Sequence, residues 1–129
     1  MIFRCEIPGR AGIKKNSRRH FFAGGRPVSA PSKRYEVWKQ TAIAHIKQRI
    51  AHHGAFRTID FPVILKCTFC YENRKNEQDL SNAYQGVEDI LQELKLIEND
   101  KLIYGHDGSR KIFGGENKTI IEIFRMEEK

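Results

Sequence analysis

Asp79-Leu80-Ser81-Asn82 opens an apolar stripe with helical spacing, and Glu98-Asn99-Asp100-Lys101 follows its end. Carboxylates thus stand at both ends of one amphipathic helix, in a chain whose surplus charge is positive. Grouped carboxylates in a basic protein are what a metal-dependent enzyme acting on phosphodiesters needs. Magnesium prefers oxygen ligands and keeps several waters. Asp79 and Asp100 are the candidate metal ligands, and Ser81 and Asn82 are placed to orient a bound water. Asp79 is also a good helix N-cap residue.

The elements that must position these groups can be read along the chain. Phe3, Cys5 and Ile7 alternate with Ile2, Arg4 and Glu6, which predicts a strand over residues 1–8, ended by Pro8 and Gly9. Residues 9–20 read as a basic loop. Phe21-Phe22 and Pro27-Val28 around Gly24-Gly25 predict a small hairpin with a glycine turn. Ser32 is a candidate N-cap for a helix over about 33–52, with Tyr35, Trp38, Ala42, Ile46 and Ile50 on one face. Residues 61–71 alternate as a strand, with Val63, Leu65, Cys67, Phe69 and Tyr71 on one side. A polar break covers 73–78. The second helix begins at Asp79 and carries Leu80, Ala83, Val87, Ile90 or Leu91, and Leu94 as its core stripe. Gly86 costs that helix about 1 kcal/mol relative to Ala, a cost more easily borne where another backbone packs closely. Strands over about 102–112 and 118–126 complete the chain, joined by Gly114-Gly115-Glu116-Asn117. The pattern implies one α+β domain over residues 1–129, with a mainly antiparallel or mixed sheet covered by two helices.

The chain has 129 residues and a formal net charge of +7. Residues 1–50 hold 12 Lys and Arg against 2 acids, and residues 51–129 hold 11 against 14. The first part is a candidate polyanion-binding surface, and nucleic acid is its natural partner. Arg10, Lys14, Lys15, Arg18, Arg19 and Arg26 form a run without an acid, beside Phe21 and Phe22. Basic groups with aromatics suit backbone phosphates and unstacked bases. Arg74 and Lys75 join them as candidate contacts. No apolar run is long enough to cross a bilayer, and the first residues lack a signal-peptide core. A cytoplasmic protein with reduced thiols at Cys5, Cys67 and Cys70 is expected.

Other patterns are weaker. Cys67-Thr68-Phe69-Cys70 matches a CxxC spacing, but a strand sends its two thiols to opposite faces. The five histidines form no ligand set, with His20 and His106 standing alone. The paired glycines mark turns rather than phosphate loops.

Glu77-Gln78-Asp79-Leu80-Ser81-Asn82, the helix after it, and Leu96-Ile97-Glu98-Asn99-Asp100-Lys101-Leu102-Ile103 resemble the RusA family of Holliday junction resolvases. The N-terminal strand ending in proline, the Lys14-Lys15-Asn16 loop, the hairpin and the helix follow the family order. The resemblance implies a homodimeric endonuclease that binds four-way DNA junctions and cuts two strands symmetrically with Mg2+, Mn2+ being a possible substitute. By position, Asp79 and Asp100 match metal-ligand aspartates, Asn82 matches the motif asparagine, and Asp89 matches a mid-helix aspartate read as structural. Two positions depart. Ser81 stands where well-known members have an aspartate ligand, and Gln85 stands where a helix lysine is expected. Arg74, Lys75 or Lys101 are left to replace that charge, and Glu77 or Glu98 to join the site. The departures define one alternative, a junction-binding protein without full catalysis. A small basic RNA-binding protein is another, distinguished by RNA preference and no metal dependence.

Overall fold

A computed structural model describes residues 1–12, 18–31, 33–54 and 56–126; at 18–23, 26–31 and 76 it describes the backbone alone. The chain runs β1 (Phe3–Pro8), β2 (Arg18–Ala23), β3 (Arg26–Pro31), α1 (Lys33–His53), β4 (Val63–Tyr71), α2 (Leu80–Glu93), β5 (Ile103–Gly105), β6 (Arg110–Phe113) and β7 (Lys118–Arg125). This is the α+β domain with two helices that the patterning implies.

The main sheet is mixed. β7 lies between β1 and β4 and is antiparallel to both, with Cys5 opposite Ile121 and Leu65 opposite Ile123. β5 and β6 lie parallel to β4. Val63, Leu65, Cys67, Phe69 and Tyr71 share one face of β4 and are all buried. They join Phe3, Cys5 and Ile7 of β1, Ile121 and Ile123 of β7, and the apolar faces of both helices in one core. The opposite sheet face carries ion pairs: Lys66–Glu122 at 3.7 Å, Lys118–Glu6 at 3.2 Å and Arg4–Glu6 at 3.0 Å.

The helices follow their stripes. α1 buries Tyr35, Trp38, Ala42 and Ile46, while its expected cap, Ser32, lies outside the described residues. α2 buries Ala83, Gly86, Val87, Ile90 and Leu91, and also Tyr84, which the stripe did not include. The close backbone approach that would favour glycine at Gly86 is not found: a Cβ there would make only ordinary contacts, 3.4 Å from the Gly12 carbonyl oxygen and 3.9 Å from both Trp38 and Tyr35 side-chain atoms.

Three elements differ from expectation. The hairpin is longer, because Arg18-Arg19-His20 extend β2 into what reads as loop, opposite Pro31, Ala30 and Ser29. Its turn is Gly24-Gly25, both at positive φ (59° and 76°), as a tight hairpin requires. The polar break contains a 3-10 turn, Arg74–Asn76, whose start is capped by the Asn73 side chain. The strand expected over 102–112 is split in two. A 3-10 turn, Asp100–Leu102, precedes β5, and a turn at 106–109 with Gly108 at positive φ separates β5 from β6. β5 pairs with the first residues of β4, and β6 pairs with the last. Across the break, the Ser109 hydroxyl accepts from Cys67 N (3.0 Å) and donates to the Leu65 carbonyl (3.4 Å). A side chain thus replaces the missing strand, as buried backbone groups demand.

Candidate functional site

Asp79 caps α2. Its Oδ1 accepts from Ser81 N at 2.9 Å, while its own backbone is extended (φ −60°, ψ 126°). This is the capping role read from the sequence, and it leaves the carboxylate exposed at the positive end of a 14-residue helix. Ser81 is exposed and Asn82 half-buried on the first turn. Asp100 begins the 3-10 turn before β5 and is exposed, with Asn99 capping that turn through a 2.9 Å bond from Lys101 N to Asn99 Oδ1.

A second set of groups lies further along α2. Glu88 Oε1 is 3.6 Å from His106 Nε2. The His106 ring lies against the Tyr84 ring, with centroids 3.8 Å apart. The Tyr84 hydroxyl donates to the Leu65 carbonyl at 2.6 Å. His106, which reads from sequence as isolated, therefore belongs to a chain of side chains running from α2 to β4. Burial, then the negative charges of Asp100 and Asp89, push the Glu88 carboxyl up to about 7. Burial is also the main cause raising the Tyr84 hydroxyl and the Cys67 thiol. Glu88 went unread in the sequence. The available signal was its spacing: Ser81, Gln85 and Glu88 stand four and three residues apart, on one helix face.

Asp79 and Glu88 are nine positions apart, or about 13 Å along the helix axis. The negative charge of Asp100 acts on Glu88 through space. Among the described residues no group of three or more His, Cys, Asp and Glu is arranged to hold a metal ion. The donors at Asp79, Ser81, Asn82 and Asp100 are all oxygens, a set that suits a hard cation keeping much of its water.

The basic candidates fall in two places. Arg74 is exposed, with its guanidinium 4.8 Å from the Phe113 ring centre and 3.9 Å from Glu77. Lys111 also pairs with Glu77, and these partners hold the Glu77 carboxyl below the usual range. Lys75 is exposed beside Arg74. Arg10 lines a cleft at the start of α1. Arg18 and Arg19 lie in β2 and Arg26 in β3, opposite Pro31, Ala30 and Ala23 respectively. Lys14 and Lys15 lie outside the described residues. Cys67 and Cys70 are both buried thiols on opposite faces of β4.

Fold and site together define a small basic α+β protein with acids along one helix and its return to the sheet. Over 111 residues the chain is 25% identical to the crossover junction endodeoxyribonuclease RusA of Aquifex aeolicus (strain VF5), covering 86% of this chain and 82% of that protein. No family model matches the chain. Among the described residues, no helix is long and apolar enough to cross a membrane.

Proposed function

We propose that the chain is a Mg2+-dependent endodeoxyribonuclease of the RusA type, acting as a homodimer on four-way DNA junctions in the cytoplasm. The observation that carries this reading is the similarity to a junction endonuclease over most of both chains. It is supported by Asp79 standing at the α2 cap and Asp100 at the return to β5.

Asp79 and Asp100, with the Ser81 and Asn82 oxygens near Asp79, are the residues that would hold Mg2+, with Mn2+ as a substitute. The bound ion supplies Lewis acid chemistry to the scissile phosphate and the attacking water. The chain's own groups do the rest. Arg10, Lys14, Lys15, Arg18, Arg19, Arg26, Arg74 and Lys75 bind backbone phosphates and hold the junction arms. The N-terminal end of α2 adds the positive end of its dipole to the same task. The resting contact of Arg74 with Phe113 and Glu77 keeps its guanidinium at the surface above β6.

Ser81 and Gln85 favour a second reading, in which the chain binds junctions without cutting them. Both are exposed on α2, where the family resemblance implies an aspartate and a lysine. A cleavage assay on a synthetic four-way junction with Mg2+ separates the two. Cleavage by the wild type, lost in Asp79→Asn and Asp100→Asn, is the expected result. Full cleavage by both variants would overturn the site. Tight junction binding without any wild-type cleavage would select the second reading.

A further inference from the structure

The residues that lead into α2 are tied to the sheet by their side chains. Gln78 accepts from the Tyr71 hydroxyl at 3.5 Å, and Tyr71 is a buried residue at the end of β4. Glu77 donates its backbone N–H to the Arg74 carbonyl at 3.1 Å, which closes the 3-10 turn. The Glu77 carboxylate pairs with Lys111 of β6 and stands 3.9 Å from the Arg74 guanidinium. Arg74 is 79% exposed, so its hold on Glu77 is loose.

Lys111 differs from Arg74 in where its side chain runs. It lies opposite Phe69 in the pairing of β6 with β4. Residues opposite each other share a face, so the Lys111 side chain leaves the sheet on the core side, toward the helices. Only a quarter of that side chain is exposed. A cation turned that way needs a partner at its tip, and it finds Glu77, 34 positions away in sequence.

Glu77 is separated from Asp79 by one residue, which Tyr71 already holds. Each residue has only two soft backbone dihedrals, so a shift of Glu77 is carried almost directly to Asp79. Asp79 Oδ1 is occupied by Ser81 N at 2.9 Å, which leaves Oδ2 for a cation. The direction of Oδ2 is set by the path of the chain into the helix. We propose that Lys111 is a positioning residue: through Glu77 it fixes that path, and with it the direction in which Asp79 presents its carboxylate to Mg2+. Lys111 touches neither the ion nor DNA. Glu77 is then the anchor of the Asp79 carboxylate and not a ligand beside it. The inference rests on the reading of Asp79 as a Mg2+ ligand and gives β6 a part in that site. Such support matters because metal ligands must be held to within about 0.5 Å of their working geometry.

Mn2+ binding to the full chain, followed by electron paramagnetic resonance, reads the site without turnover. Lys111→Met should weaken binding about tenfold, the usual loss when a ligand's support is removed. Removing a positive charge near a cation would by itself tighten binding, so weaker binding reports position. Lys111→Arg should bind as the wild type does. Glu77→Gln should weaken binding, and Lys111→Met/Glu77→Gln no further than either single change, because the pair acts as a unit. Exchange of the Ser81 amide hydrogen, which is bonded to Asp79 Oδ1, is measured by nuclear magnetic resonance on the same proteins without metal. It should be faster in Lys111→Met and unchanged in Lys111→Arg. Circular dichroism verifies that each variant is folded. A Ser81 amide indifferent to Lys111→Met overturns the proposal. Where the wild type binds Mn2+, equal or tighter binding by Lys111→Met overturns it too, as do additive effects in the double variant. A wild type that binds no Mn2+, with the Ser81 amide responding as stated, refutes the metal reading of Asp79 and leaves the positioning by Lys111 in place.

Discussion

Glu88 Oε1 and His106 Nε2 stand 3.6 Å apart, joining the third turn of α2 to the turn that follows β5. Glu88 also feels Asp100 and Asp89, and its carboxyl is pushed up to about 7 by burial first and by those charges second. A carboxyl whose folded pKa lies above its unfolded value binds its proton more tightly in the folded state. Its stabilising contribution is full below the unfolded value near 4.5 and is lost as pH rises through about 7. Glu88→Gln should therefore match the wild type in acid and exceed it at alkaline pH. The gain is on the order of 2–3 kcal/mol. Thermal unfolding of both proteins across about pH 4–9, from just below the unfolded value near 4.5 to well above the folded value of about 7, checks this. A constant difference between them would refute it.

Asp79 caps α2, and substitution can separate that role from the metal-holding role proposed for it. Asn caps helices about as well as Asp, whereas Ala costs about 1 kcal/mol. Asp79→Asn should keep the melting temperature and abolish cleavage, while Asp79→Ala should lose both. Denaturation curves beside the junction cleavage assay decide this. An unstable Asp79→Asn would mean that the negative charge, rather than the cap, holds the helix.

Gly12 and Gly86 face each other between the N-terminal segment and α2, and they should respond in opposite directions to alanine. A Cβ at Gly86 meets only ordinary contacts, the closest at 3.4 Å. Gly86→Ala should gain up to about 1 kcal/mol from helix propensity. A Cβ at Gly12 would lie 3.0 Å from Tyr35 Cα, which belongs to α1 and has no room to yield. Gly12→Ala should cost about 1–3 kcal/mol through overpacking. Urea midpoints of the two variants provide the comparison.

The Tyr84 hydroxyl and the Ser109 hydroxyl share the Leu65 carbonyl, at 2.6 and 3.4 Å. Tyr84→Phe should cost about 1 kcal/mol, because Ser109 still satisfies that oxygen in part. Adding Ser109→Ala should cost more than the sum of the single changes, which a double-mutant cycle measures. Strict additivity would show that the two hydroxyls act independently.

DNA affinity should fall steeply with salt, because each cation seated on a phosphate releases counterions. Arg74→Ala should make the plot of log K against log salt shallower by about 0.9, the share of a single phosphate. Preference among sequences should stay as it is, since a phosphate carries no base information. An unchanged slope would remove Arg74 from the interface.

Local pattern was enough to read much of the fold. The alternation of Val63 to Tyr71, the α1 face from Tyr35 to Ile46 and the glycine pair at the hairpin turn all depend on neighbours in sequence, and each is found in place. The division of residues 102–112 was not legible. It depends on β4 offering one edge to two short partners, with Ser109 bridging the gap between them. Of the candidate site, the cap at Asp79 was legible because capping is a one-turn event. The Glu88–His106 contact was not, since it joins residues 18 positions apart and arises only when α2 settles on the sheet. The buried indole N–H of Trp38 is likewise a tertiary product, hidden in a residue whose spacing announces only a core position.

β7 comes after every other described strand in sequence, yet it lies between β1 and β4 and pairs with both. During synthesis on a ribosome, the first strand emerges with no neighbour to accept its hydrogen bonds. It must wait through both helices and the hairpin before Lys118–Arg125 arrives. Pairings so distant in sequence slow folding and prolong the exposure of unpaired edges. A nascent chain halted before residue 118 would hold its helices and hairpin without a central strand to join them. Closure of the sheet is thus timed by the late translation of β7, and a product truncated before it would be a substrate for proteases rather than a partly working protein.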